Sequence, residues 1–204
     1  MFVKICGLTD EVAVSTAVAA GADAIGFVFA QSPRQVSPLR AAQLCTGLPD
    51  RVTRIAVMQH PSADELAAVL DQFAPDWLQT DASDFAEISL PDTCAPLPVY
   101  RNGALPRALL EAETAGDDDA TPRLLFEGTA SGSGATADWD EARKLAQRSR
   151  LILAGGLRAD NVADAIRAVR PWGVDVSSGV ESQRGVKDPT KINDFIAHVR
   201  ALET

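Results

Sequence analysis

A short apolar run of strand character followed by a helical stretch recurs eight times along this 204-residue chain, and that rhythm narrows the possible folds more than anything else in it. The strands expected are Phe2–Cys6, Ala24–Phe29, Val52–Met58, Trp77–Gln79, Leu97–Tyr100, Arg123–Glu127, Leu151–Ala154 and Gly173–Val176. Helical stretches follow at Glu11–Ala20, from Pro38, and at Ala63–Asp71, Asp84–Leu90, Leu105–Ala115, Asp138–Gln147, Ala159–Val169 and Thr190–Leu202. Thr9 is expected to cap the first helix, and Ser62 to cap the third with Glu65 at the capping-box position. A strand joined to the next through a helix must pair in parallel. Eight units close most simply into a (β/α)₈ barrel, predicted as a single domain over residues 1–204. The competitor, an open doubly wound sheet, usually carries a GxGxxG turn after its first strand, whereas this strand ends in Lys4-Ile5-Cys6-Gly7.

Composition removes several classes of function. The formal charge is −9, which is the wrong sign for a nucleic-acid partner or an anionic membrane surface. No apolar run is long enough to span a bilayer, and no secretory signal is expected at the amino terminus. Three widely spaced cysteines, Cys6, Cys45 and Cys94, suggest neither a disulfide framework nor a zinc site and fit a reducing cytoplasm. The stretch Gly116–Thr121, with three consecutive aspartates, is expected to be a solvated surface turn.

In a (β/α)₈ barrel the chemistry lies at the carboxyl ends of the strands. After strand seven come Gly155 and Gly156, and after strand eight Ser177, Ser178 and Gly179. Bare backbone and hydroxyls in those two loops suit a phosphate. Cys6 ends strand one, with Lys4 on the same face. It is either an inert core thiol or a base whose thiolate a neighbouring ammonium favours, a free thiol having a pKa near ~8.5. Arg34, in the loop after strand two, is either a solvated surface cation or a planar fork for a carboxylate.

Read in order, the segments Lys4-Ile5-Cys6-Gly7-Leu8-Thr9, Gly21-Ala22-Asp23-Ala24-Ile25-Gly26-Phe27-Val28-Phe29, Ser32-Pro33-Arg34-Gln35-Val36-Ser37-Pro38 and Asp175-Val176-Ser177-Ser178-Gly179-Val180-Glu181 resemble the phosphoribosylanthranilate isomerase family. Gly132-Ser133-Gly134, Asp138-Trp139 and Ala154-Gly155-Gly156-Leu157 fall in place as well. The resemblance runs from the first strand to the last helix. It implies the Amadori rearrangement of N-(5-phosphoribosyl)anthranilate in tryptophan biosynthesis, with a small phosphosugar substrate and no metal or organic cofactor. It implies Cys6 as general base, Arg34 on the anthranilate carboxylate, Asp175 near the ribose hydroxyls, and Gly155, Gly156, Ser177, Ser178 and Gly179 around the phosphate. A cytoplasmic monomer or homodimer is expected.

Two positions depart from the family pattern. Its Leu-Leu-Asp strand end, which carries the general acid, is Leu124-Leu125-Phe126-Glu127 here. Phe126 takes the aligned place, so Glu127 is the expected acid provided the strand end shifts; otherwise a water or Asp138 supplies the proton. The family's Gln-Leu-His-Gly is Gln79-Thr80-Asp81-Ala82, where Asp81 either keeps a polar contact or caps the next helix. Two alternatives stand beside this function: an aminoaldose–aminoketose isomerase of the histidine-pathway type, and a phosphosugar-binding barrel without turnover.

Overall fold

The computed structural model describes residues 1–103, 121–128 and 137–203. Eight strands, β1 (Phe2–Cys6), β2 (Ala24–Val28), β3 (Thr53–Val57), β4 (Trp77–Asp81), β5 (Ala95–Arg101), β6 (Arg123–Glu127), β7 (Arg150–Leu153) and β8 (Gly173–Val176), pair in parallel in chain order, and β8 returns to β1. The barrel is therefore closed, which disposes of the open doubly wound sheet.

Alternation along each strand sorts residues between two cores. Odd positions of β2, such as Ile25 and Phe27, join the large cluster between barrel and helices, along with Val3, Ile5 and Phe126. Ala24, Ile55, Leu97, Val99, Leu125, Ile152 and Ala154 fill the barrel's interior. Below them Phe2 stacks between Trp77 and Trp172, its ring centroid 5.4 and 4.6 Å from theirs. The guanidinium of Arg123 lies 3.8 Å from the Trp77 ring centroid. Rings and cations together close the amino-terminal mouth.

The helices among the described residues are α1 (Glu11–Ala19), α2 (Pro38–Leu44), α3 (Ala63–Gln72), α4 (Trp139–Ala146), α5 (Val162–Val169) and α6 (Pro189–Arg200). In α5 the buried residues Val162, Ala165, Ile166 and Val169 recur at the spacing of one helical face. Each of the larger ones contributes about 1.5–3 kcal/mol by leaving water. The capping box of Ser62 and Glu65 is present.

The cap of α1 is Asp10 rather than Thr9; its carboxylate, which accepts more strongly than a hydroxyl, takes the Ala13 N–H at 2.9 Å. The stretch expected as a helix at Asp84–Leu90 is a 3₁₀ turn at Ala82–Ala86, because the Asp84 side chain is drawn to Thr80 and His60. The last two helices also start elsewhere than expected, at Val162 and Pro189, where Asn161 and Asp188 occupy the cap positions. The expected helix Leu105–Ala115, residues 116–120 of the polar turn and the Gly132-Ser133-Gly134 loop lie outside the described residues. Two elements not foreseen follow β8: a 3₁₀ turn at Ser178–Val180, and a hairpin of β9 (Glu181–Gln183) and β10 (Val186–Lys187). Among the described residues no helix is long and apolar enough to cross a membrane.

Candidate active site

The carboxyl ends of the strands surround one cavity, lined by Cys6, Arg34, Asp81, Arg101, Glu127, Asp175 and Ser177 among others. Six of the residues singled out from sequence, Cys6, Arg34, Asp81, Glu127, Asp175 and Ser177, thus share one space. Gly155, Gly156, Ser178 and Gly179 are not among the residues that line it.

Strand alternation brings Lys4 and Cys6 inward from β1, and register sets Lys4 beside Asp175 of β8. The Lys4 ammonium, wholly buried, donates to Asp175 Oδ1 at 2.9 Å. Burial pushes the Lys4 ammonium down, yet the charges of Asp175 and Cys6 outweigh it and raise its pKa. Cys6 is 6% exposed. Burial pushes its thiol up, and the opposing pull of Lys4 does not reverse this. The expected thiolate-favouring contact therefore exists, but the net shift is upward, because burial outweighs the pull of Lys4 and the charge of Asp175 adds to it. Gly26 on β2 makes the arrangement possible: a Cβ there would sit 3.1 Å from Lys4 Cε and 3.2 Å from Cys6 Sγ.

Arg34 is not a solvated surface cation. It is 6% exposed, and its Nε and Nη2 donate to Glu181 at 2.6 and 3.0 Å in a two-pronged pair. The chain folds onto it closely, since a Cβ on Gly7 would lie 2.6 Å from Arg34 Cδ. Glu181 also accepts from Gly185 N–H at 3.1 Å and Lys187 Nζ at 2.9 Å. Burial pushes the Glu181 carboxyl up, but Arg34 and Lys187 overcome it and hold its pKa at about 2. Lys187 further donates to the Ser177 carbonyl at 2.9 Å and its hydroxyl at 3.3 Å. Neither Glu181 nor Lys187 was given a role from sequence. The available signal was two opposite charges flanking Gly185 at a hairpin-like spacing.

On the far side of the cavity the expectation for Phe126 is corrected. Phe126 is fully buried in the outer cluster, whereas Leu125 packs inside the barrel and Glu127 lines the cavity. Phe126 is thus not the inward residue at the strand end, and Glu127 comes inward by simple alternation with no shift of the strand. Its Oε1 pairs with Arg101 Nε at 3.1 Å. Asp138, the alternative acid, is occupied as the cap of α4, accepting from Asp140 and Glu141 N–H at 2.9 and 3.1 Å.

Asp81 does not cap the following turn with its side chain. It pairs with Arg101 and, at 3.1 Å, with His60 Nε2, while His60 Nδ1 meets Asp84 at 2.8 Å. Asp84, then the charge of Asp81, raise the His60 pKa. His60, Asp81 and Asp84 are the one group among the described residues whose ligand atoms cluster closely enough for a metal. Thr80, His60 and Arg101 already engage those carboxylates, so the group is built as an ion-pair network.

The two glycine-bearing loops meet backbone to backbone. Gly155 and Gly156 have φ of 90° and 64°, a region that side chains disfavour. A Cβ on Gly179 would lie 1.9 Å from the Leu157 carbonyl oxygen. The 3₁₀ turn at Ser178–Val180 follows, with Ser177 at its cap position and no side-chain cap hydrogen bond.

Comparisons with known proteins agree on family and fold. The family model described as N-(5'-phosphoribosyl)anthranilate isomerase matches residues 3–198. The N-(5'-phosphoribosyl)anthranilate isomerase of Bordetella parapertussis is 42% identical over 98% of this chain and 96% of its own. The phosphoribosyl anthranilate isomerase of Thermus thermophilus superimposes with a TM-score of 0.82 at 28% identity, covering 99% of this chain and 100% of the other. A phosphoribosyl anthranilate isomerase in complex with reduced 1-(o-carboxyphenylamino)-1-deoxyribulose 5-phosphate does so with a TM-score of 0.77 at 30% identity, covering 98% and 99%.

Proposed function

The chain belongs to the N-(5'-phosphoribosyl)anthranilate isomerase family, and for that aldose–ketose isomerisation of tryptophan biosynthesis we propose Glu127 as general acid and Cys6 as general base. Family membership sets aside the histidine-pathway and non-catalytic alternatives. The observation that carries the assignment is that Glu127 and Cys6 face one cavity from β6 and β1, across the barrel mouth, with Arg34 at its rim.

Glu127 gives its proton to the furanose ring oxygen, and the C1–O bond opens to a Schiff base with a cationic nitrogen. That cation acidifies the C2 proton and draws negative charge toward it. The Cys6 thiolate then takes the C2 proton, leaving an enolamine, which gains a proton at C1 and loses one from the C2 hydroxyl to become the ketone. Burial raises the Cys6 pKa above that of a free thiol, so the thiolate is a minor form at neutral pH and grows as pH rises. Lys4 and the passing iminium charge both favour the thiolate at the moment it is needed.

Arg34 holds the anthranilate carboxylate through the guanidinium edge that Glu181 leaves open. Asp175, fixed by Lys4, faces the ribose hydroxyls. Gly155, Gly156, Ser177, Ser178 and Gly179 receive the phosphate. Three free cysteines and a phosphorylated substrate favour a cytoplasmic enzyme, working as a monomer or homodimer.

The test follows the loss of anthranilate-type fluorescence when substrate made in situ meets the purified protein. Cys6→Ser and Glu127→Gln should each lower kcat by about 10²–10⁴-fold, the usual worth of a positioned acid or base. A Glu127→Gln enzyme that keeps most of its kcat overturns the acid; an active Cys6→Ser overturns the base.

A further inference from the structure

We infer that Glu181 is a positioning residue for substrate selection: it takes one edge of the Arg34 guanidinium so that the other is presented, already oriented, to the carboxylate on the aromatic ring. The inference rests on the assignment of Arg34 to that carboxylate.

An arginine on a loop has several rotatable bonds and would lose that freedom on binding substrate. Here the loss has already been taken at folding. Glu181 engages Nε and Nη2 in a planar fork, at 2.6 and 3.0 Å, from 147 residues away in the chain. A guanidinium has five N–H donors in a rigid plane, so a fork on the Nε side leaves Nη1 and the second N–H of Nη2 for another acceptor. Arg34 lines the cavity, which puts an acceptor within its reach.

Charge points the same way. Arg34, Glu181 and Lys187 are each less than a tenth exposed, and together carry two positive charges against one negative, with the Cys6 thiol beside both cations as the other group able to carry negative charge. A buried excess of one cation is costly unless an anion arrives to match it. Lys187 cannot be that anion's main contact, since its ammonium is bound to Glu181, the Ser177 carbonyl and the Ser177 hydroxyl. What remains is the open edge of Arg34.

The experiment compares two probes by calorimetry: reduced 1-(2-carboxyphenylamino)-1-deoxyribulose 5-phosphate, and the same molecule without the ring carboxylate. Native protein should prefer the carboxylated probe, and Arg34→Met should abolish the preference. Glu181→Gln should cut it at least tenfold while changing affinity for the carboxylate-free probe less than about threefold. A merely structural role would weaken both probes alike, and that result overturns the inference, as does an unchanged preference. Should Glu181→Gln bind neither probe, Glu181→Asp decides: it keeps the charge for Lys187 but is too short to hold both guanidinium nitrogens. Selective loss supports the inference and equal loss overturns it. If Arg34→Met keeps the preference, the assignment of Arg34 itself fails, an outcome separate from any result at position 181.

Discussion

At its amino-terminal mouth the barrel interior is closed by rings: Phe2 between Trp77 and Trp172, with Arg123 laid over Trp77. At its carboxyl mouth β1, β4 and β6, two or four residues further on, present Lys4 and Cys6, Asp81 and Glu127, joined there by Arg101 of β5 and Asp175 of β8. Alternation is identical at both ends, so the contrast lies wholly in side-chain chemistry. The lower end gains free energy from rings removed from water and from cations resting on their faces. The upper end buries charge in pairs, which contributes little net stability and is badly disrupted when one partner is lost. Shape holds the bottom together; charge balance holds the top, and that is where protons can be moved.

The contrast can be broken most severely at Lys4. Lys4→Met leaves Asp175 buried without its counter-charge and is expected to cost about 3–5 kcal/mol of stability. It should also shift the alkaline-rising limb of kcat/KM, and the pH dependence of Cys6 alkylation, to higher pH, because Lys4 is what restrains the thiol. An unmoved thiol titration would mean the two groups are not coupled.

At the opposite end, Trp172→Ala should lower stability by about 3 kcal/mol. For a chain of this size that is about 6–12 °C in Tm. Its kcat at 25 °C should stay within about twofold of native. A large loss of kcat would show that the two ends are not separable.

A matched pair of substitutions sharpens the comparison. Gly173→Ala places a Cβ 2.8 Å from the Phe2 carbonyl oxygen and 2.9 Å from its Cβ, and should cost about 1–3 kcal/mol with activity retained. Gly26→Ala instead presses on Lys4 and Cys6 at 3.1–3.3 Å. It should lower kcat about tenfold by displacing the thiol a few tenths of an ångström, with a smaller change in Tm. Thermal melts and kinetics on the two variants should give opposite rankings.

The smallest effect expected is in acid. Glu181 has a folded pKa of about 2 against an ordinary 4.5. Its contribution to stability is complete above pH 4.5 and is lost as pH falls from there toward about 2. The Tm difference between native and Glu181→Gln should therefore narrow across that window. A constant difference would place the carboxylate's stabilising role elsewhere.

Much of this was legible along the chain. Strands of four to seven residues, punctuated by caps such as Ser62 and by glycines after β7 and β8, announce the barrel because each signal is local. Cys6 and Lys4 were placed on one face by alternation alone. Glu127 is instructive: aligning it against a pattern put Phe126 in its seat, while the physical rule, with Leu125 inward and hence Glu127 inward, gives the arrangement observed. The hairpin Glu181–Lys187 escaped notice because two short strands in a polar stretch carry no apolar period to betray them.

By itself the sequence determined the order of strands and helices, the ends at which bare backbone gathers, and the side chains available for proton transfer, since these follow from neighbours a few residues apart. Tertiary structure alone decided who meets whom: Lys4 with Asp175 across 171 positions, and Arg34 with Glu181 across 147. It also decided that burial, rather than the nearby ammonium, sets the direction in which the Cys6 thiol is shifted. The reason is physical. Alternation and capping are properties of a segment, whereas desolvation and charge pairing depend on everything the closed barrel packs around a group, and no segment carries that information alone.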